Sequence, residues 1–143
     1  MSRAQASYRH LVNEPELLQQ LHPLGFVAIA LEALTIQQQV ALFAHAKIVV
    51  APHGAGLTNT VFCQPGTQVV EIASPHYVQS DYWVVSHQAG LTHYLVMGQT
   101  VDCDRFRQIM YQNPLTEDMW LSAAMIESVV ALLRDMIQGE NHE

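Results

Sequence analysis

The stretch Ile48-Val49-Val50-Ala51-Pro52-His53-Gly54-Ala55-Gly56-Leu57-Thr58-Asn59 restricts the fold more than any other part of the chain. A run rich in β-branched residues, Lys47 to Ala51, reads as a buried strand that ends at Pro52. A histidine and two near-adjacent glycines follow, then Leu57, Val61 and Phe62 at helical spacing. Strand, glycine loop and helix in that order leave backbone N–H groups free to face an anion, with the helix dipole behind them. Gly54 and Gly56 carry no Cβ, so the backbone there can come close to a phosphate. His53 stands where the strand runs out, at the carboxyl edge where open α/β sheets bind ligands. An anion site for a phosphorylated ligand is the reading that follows.

The flanking sequence supplies the rest of an α/β pattern. Asn13-Glu14-Pro15-Glu16 reads as a capping box opening a helix with Leu17, Leu18 and Leu21 inward, closed by Pro23 and Gly25. Phe26 to Leu31 reads as a strand, and Thr35 with Gln38 caps a second helix running to about Ala46. Gln68 to Ile72 and His93 to Met97 read as further strands, separated by a helix over Tyr77 to Ala89. Gly98 to Leu115 reads as a loop with a helical turn near Phe106 to Tyr111. Thr116 is the expected cap of a last helix whose stripe includes Trp120, Leu121, Met125, Val129 and Leu133, stopped by Gly139. Trp83 and Trp120 are expected in the core. Strands alternating with helices predict an α/β, three-layer Rossmann-like fold: a mostly parallel sheet of about four to five strands with helices on both faces. With no internal repeat or linker, residues 1–143 read as a single domain.

Composition removes several function classes. Six Lys and Arg stand against thirteen Asp and Glu, and the net charge of −7 argues against a general nucleic-acid surface. Half the residues are hydrophobic and 13% are charged, which excludes a disordered chain. No apolar run is long enough to span a membrane. Cys63 and Cys103 lack CxxC spacing and read as reduced thiols, and the eight histidines are scattered with no HExxH. No metal is expected. Gly54-x-Gly56-x-x-Asn59 is a near miss to the dinucleotide fingerprint, with Glu71 placed where a ribose-binding acid would stand. Asn59 in the third position, and Pro52-His53 before the glycines, count against an NAD-type domain.

Ser2-Arg3, Arg9, Asn13-Glu14-x-Glu16-Leu17, Pro52 to Asn59, Phe62, Pro65-Gly66 and Val69-Val70-Glu71 together resemble glycosyltransferase family 61. The likeness runs from about Ser2 to Val96. It implies the C-terminal, nucleotide-sugar-binding half of a GT-B enzyme, with the first strand of that half partly or wholly missing before Ser2. Transfer would be inverting and metal-independent, with no cofactor and a nucleoside-diphosphate sugar as substrate. By position, Arg3 would neutralise the diphosphate, and His53 with the amides of Gly54, Ala55, Gly56 and Leu57 would cradle it. Glu71, Glu32 in the Leu31–Leu34 segment, and Arg9 are the expected ribose and base contacts. The catalytic base is expected in an acceptor-binding half, so the chain alone is expected to bind donor without transferring sugar. A competing reading is a non-catalytic interaction module that dimerises through the face where that half belongs. A bacterial cytoplasmic protein is the expected setting, and a secretory lumen if the source is eukaryotic.

Overall fold

The computed structural model describes residues 1–2, 6–111 and 113–140. Among them are three strands, β1 (Ile48–Pro52), β2 (Gln68–Ala73) and β3 (Thr92–Met97), paired in parallel in the order β1-β2-β3. The register sets Ala51 beside Glu71 and Glu71 beside Leu95. Alternation along each strand therefore sends Val50, Val70 and Ile72 to one face and Val49, Ala51 and Val69 to the other.

Helices cover both faces, as a parallel sheet requires. Val50, Val70 and Ile72 pack with Leu17 and Leu21 of α1 (Glu14–Leu21) and with Ile126, Val129 and Leu133 of α5 (Ala123–Glu140). Val49, Ala51 and Val69 pack with Phe43 of α2 (Ile36–His45), with Leu57, and with the half-buried Tyr82 of α3 (Asp81–Gln88). α2 opens with the expected capping box: the Thr35 hydroxyl accepts from the Gln38 N–H, and the Gln38 side chain accepts from the Thr35 N–H. Gly90, at φ 70°, turns the chain after α3.

Several expectations are corrected. Residues 26–30 are not a strand of the sheet; they run beside it, and a short 3₁₀ turn at Leu31–Ala33 follows. The described sheet thus has three strands rather than four to five. Asn13 does not cap α1 through its side chain. Its amide instead donates to the Leu121 carbonyl at 2.8 Å and accepts from the Leu121 N–H at 3.0 Å, fastening α1 to the approach of α5. α5 starts at Ala123 rather than after Thr116, because Thr116 ends a short 3₁₀ turn and residues 117–121 are held by other partners: Met119 N–H donates to the His10 carbonyl, and Trp120 exchanges backbone bonds with Gln99. α3 begins at Asp81, and Tyr77 lies before it on a turn closed by a Tyr77 N–H bond to Ser74. The turn foreseen near Phe106 is a helix, α4 (Asp104–Met110). Trp83 is 56% exposed and stacks on His87, outside the core. Of the cysteines, Cys63 is buried and Cys103 exposed, both as thiols. Burial pushes the Cys63 thiol up to about 11, against the opposing effect of a hydrogen bond with Thr67.

Asn13→Ala removes both bonds to Leu121 and leaves that peptide's groups unsatisfied. A loss of about 2 kcal/mol in stability is expected, read by urea denaturation.

Candidate functional site

The carboxyl edge of the sheet is built around one buried carboxylate. His53 follows Val49 and Ala51 on one face of β1, Glu71 follows Val69 on the same face of β2, and His93 precedes Leu95 on that face of β3. Their side chains meet. The His53 Nδ1–H donates to Glu71 Oε1, and the His93 Nε2–H donates to Glu71 Oε2 at 2.8 Å. A carboxylate only accepts, so when the two rings are neutral it selects opposite tautomers, with the lone pair on Nε2 of His53 and on Nδ1 of His93. Glu71 is 1% exposed. Burial alone would raise its pKa, but the bonds from His53 and His93 outweigh that effect and hold it below the usual carboxylate range.

Aromatic rings close around His53. The Tyr77 ring stands edge-on to it at 5.0 Å, and Tyr82 is tilted against it at 5.2 Å. Burial pushes the Tyr82 phenol up, with a smaller push from the Glu71 charge, against a hydrogen bond with Thr58 and the Arg9 charge. Arg9 brings a cation to this cluster. Its guanidinium carbon lies 5.3 Å from the centre of the Tyr77 ring and 5.1 Å from that of Tyr8. Arg9 sits in the left-handed region at φ 57°, and its Nε is buried with no hydrogen-bond partner. An L-residue held at positive φ with an unsatisfied charged donor departs from what folding alone favours.

The glycine loop runs past the same edge. The segment after Gly54 is a 3₁₀ helix over Ala55–Phe62 rather than an α-helix. Its first turn closes from Leu57 N–H to the Gly54 carbonyl at 2.9 Å, and the Thr60 hydroxyl, buried, donates to the Leu57 carbonyl at 2.7 Å. Leu57's N–H is thereby committed. The expected cradle narrows to the amides of Gly54, Ala55 and Gly56, which precede the first closing bond. The missing Cβ of Gly56 serves packing, since a Cβ there would lie 3.1 Å from Leu31 Cδ1. Asn59 bonds inward, its amide donating to Gln39 at 3.0 Å and to the Gly56 carbonyl at 3.2 Å.

The expected site residues thus separate into groups. His53, Gly54, Ala55, Gly56 and Arg9 gather at one edge. Both oxygens of Glu71 are engaged inside the protein, so it orients His53 and His93 rather than standing open to a ribose. Glu32 is exposed on the Leu31–Ala33 turn, whose Leu31 packs against Gly56. Arg3 lies outside the described residues. His93, Tyr77 and Tyr82 were not foreseen. Same-face parity was the available signal for His93, because the strand ladder places it opposite Val69, two residues before Glu71.

A second buried carboxylate holds the turn that carries Tyr77. Glu117, 1% exposed, accepts from Arg107 Nε at 2.6 Å and His76 Nδ1 at 2.8 Å, with the Ser74 hydroxyl at 3.4 Å.

A Rossmann-like α/β domain with an imidazole, aromatic and arginine cluster at the carboxyl ends of its strands defines the class. Residues 1–70 match the family Glycosyltransferase 61, which relates the chain to that family. A stretch of 63 residues is 32% identical to Beta-1,2-xylosyltransferase RCN11 of Oryza sativa subsp. japonica, covering 44% of this chain and 12% of that protein. The family match takes in Arg9, His53 and the glycine loop and stops just before Glu71. Among the described residues no helix is long and apolar enough to cross a membrane.

Glu71→Gln keeps the shape but replaces the charge between two imidazoles, and a loss on the order of 3 kcal/mol at pH 7 is expected. Because the native pKa of Glu71 is depressed, its contribution is present above the unfolded-state value and is lost as pH falls through the native one. Wild type and variant should therefore converge in stability as pH drops below about 4, read by urea midpoints at each pH.

Proposed function

We propose that the chain is the nucleotide-sugar-binding portion of an inverting, metal-independent glycosyltransferase. The observation that carries this reading is the convergence of His53, the Gly54–Gly56 amides and Arg9, whose Nε is unsatisfied, at the carboxyl edge of a parallel sheet. The family likeness over residues 1–70 supports it, as does the xylosyltransferase name of the rice relative.

In such a reaction the acceptor hydroxyl oxygen bonds to the anomeric carbon as the bond from that carbon to the diphosphate oxygen breaks. The acceptor proton passes to a base, and the electron pair leaves with the nucleoside diphosphate. What a donor site contributes is stabilisation of that departing charge. His53 suits the task. Glu71 holds its Nδ1–H, so Nε2 is the atom left for a phosphate, as a donor once the ring is protonated. Arg9 supplies a permanent cation and an unused Nε–H donor. Arg3 is a second cation by sequence position, and Glu32 is positioned by sequence to meet the base. The acceptor and the base that deprotonates it belong, in this account, to an acceptor-binding half, so this chain binds donor and does not transfer sugar by itself.

The test is calorimetric titration with UDP, GDP, UDP-xylose and NAD+. One of the diphosphates or the sugar nucleotide should bind without added divalent metal. His53→Ala and Arg9→Ala should each weaken it about tenfold or more. Silence toward every nucleotide together with a tight dimer would instead favour an interaction module, and selective NAD+ binding would favour a dinucleotide domain.

A further inference from the structure

His10 follows Arg9 in the chain, and both nitrogens of its ring face acceptors. Nδ1 lies 3.0 Å from Asp118 Oδ1, and Nε2 lies 2.7 Å from the Ala6 carbonyl oxygen. A neutral imidazole has one N–H and one lone pair. In a neutral His10 ring, one of these contacts would set a nitrogen lone pair against an oxygen lone pair at hydrogen-bond distance. A ring protonated on both nitrogens satisfies both contacts, one of them as a charge-assisted bond to a carboxylate. The geometry is that of an imidazolium.

The same ring closes a short loop around Arg9. On the carboxyl side of Arg9 the chain is fixed to the segment before α5. The His10 N–H donates to Asp118 Oδ1 at 2.7 Å, the His10 carbonyl accepts from Met119 at 2.9 Å, and the Val12 N–H donates to the Met119 carbonyl at 2.8 Å. On the amino side, residues 6–8 bend, and the ring's bond to Ala6 draws them back to His10. Arg9 is held between at φ 57°, with its own N–H making a long bond of 3.4 Å to the Thr116 carbonyl. A left-handed L-residue persists only where its surroundings over-determine it. In that conformation the guanidinium reaches the Tyr77 ring, which stands against His53. The charged and titratable neighbours of the His10 ring come from several elements. Asp118 precedes α5, Glu14 of α1 lines the same cavity, and Arg9 adds a cation from the loop itself. Tyr111, at the end of α4, has its phenol hydrogen-bonded to the Asp118 backbone.

We infer that His10 is a positioning residue for Arg9, acting as a proton-dependent clasp. With a proton on each nitrogen, the ring closes the Ala6–His10 loop and holds Arg9 against Tyr77. When one of those protons passes to solvent, one bond becomes a repulsive contact, the loop opens, and Arg9 leaves the His53 cluster. The clasp is therefore complete at low pH and lost as pH rises through the range in which the ring gives up its second proton. Weaker diphosphate binding at high pH follows, and that consequence rests on Arg9 being a phosphate contact. The positioning of Arg9 does not rest on it and is measured on the ligand-free protein.

NMR spectra of the ligand-free protein at about pH 5.5 and about pH 8.5, on either side of the ordinary imidazole range, test the clasp. At the lower pH both His10 nitrogens should show the shifts of an imidazolium, and the Arg9 side-chain methylenes should give cross-peaks to the Tyr77 ring. At the higher pH those cross-peaks should weaken about threefold or more. His10→Gln should leave them weak at both pH values. Asp118→Asn, which keeps an acceptor but removes its charge, should move their loss to lower pH. A His10 ring with one protonated nitrogen at the lower pH, Arg9 cross-peaks that do not change with pH, or an unchanged pH response in His10→Gln would overturn the clasp.

Discussion

The carboxylate of Glu71 is the interaction on which the candidate site at the carboxyl edge depends. A charge that is 1% exposed, in the middle strand of a parallel sheet, survives only if its desolvation is offset by nearby donors. The two donors are imidazoles from the neighbouring strands, one on each side. Charge burial and strand register are thereby coupled: a slip of one residue in β1 or β3 would turn its histidine to the opposite face. Electrostatics at this edge reinforces what hydrophobic packing establishes deeper in the sheet, where Val49, Ala51 and Val69 meet Phe43 and Leu57.

Glu117 has a related role further from the sheet. Its bonds to Arg107, His76 and Ser74 tie α4 and the turn after β2 to the segment 117–121. That segment also carries backbone bonds to the N-terminal stretch, with Val12 and His10 paired to Met119 and Arg9 N–H reaching Thr116 just before it. Tyr77 and Arg9 are thus brought to His53 by elements distant in sequence and held through a common support. Arg9, with its positive φ and unpaired Nε, is where this arrangement departs from the conformation that stability alone favours.

The sequence was most informative where local chemistry decides structure. Thr35 and Gln38 announce α2, Pro52-His53-Gly54 announces the end of β1, and short hydrophobic runs announce all three strands. It misled where a polar side chain had a distant partner available. Asn13 gives up the cap of α1 for Leu121, more than a hundred residues away, and Glu117 serves buried donors instead of the first turn of a helix. Residues 26–30 have the composition of a strand, but hydrogen bonding needs a neighbour at about 4.8 Å, and a cavity separates them from β1. At the site, His53 and the glycines were legible from their order along the chain. The His53–Glu71–His93 row was not, because it exists only across three strands whose register no single segment encodes.

If Glu71 is what orients the edge, the two imidazoles must hold opposite tautomers. Long-range proton–nitrogen correlation spectra of the histidine rings, taken above their protonation range, measure this directly. The account predicts the Nδ1–H form for His53 and the Nε2–H form for His93, with both preferences weakened in Glu71→Gln. The Nε2–H form at His53 in the wild-type protein would contradict it.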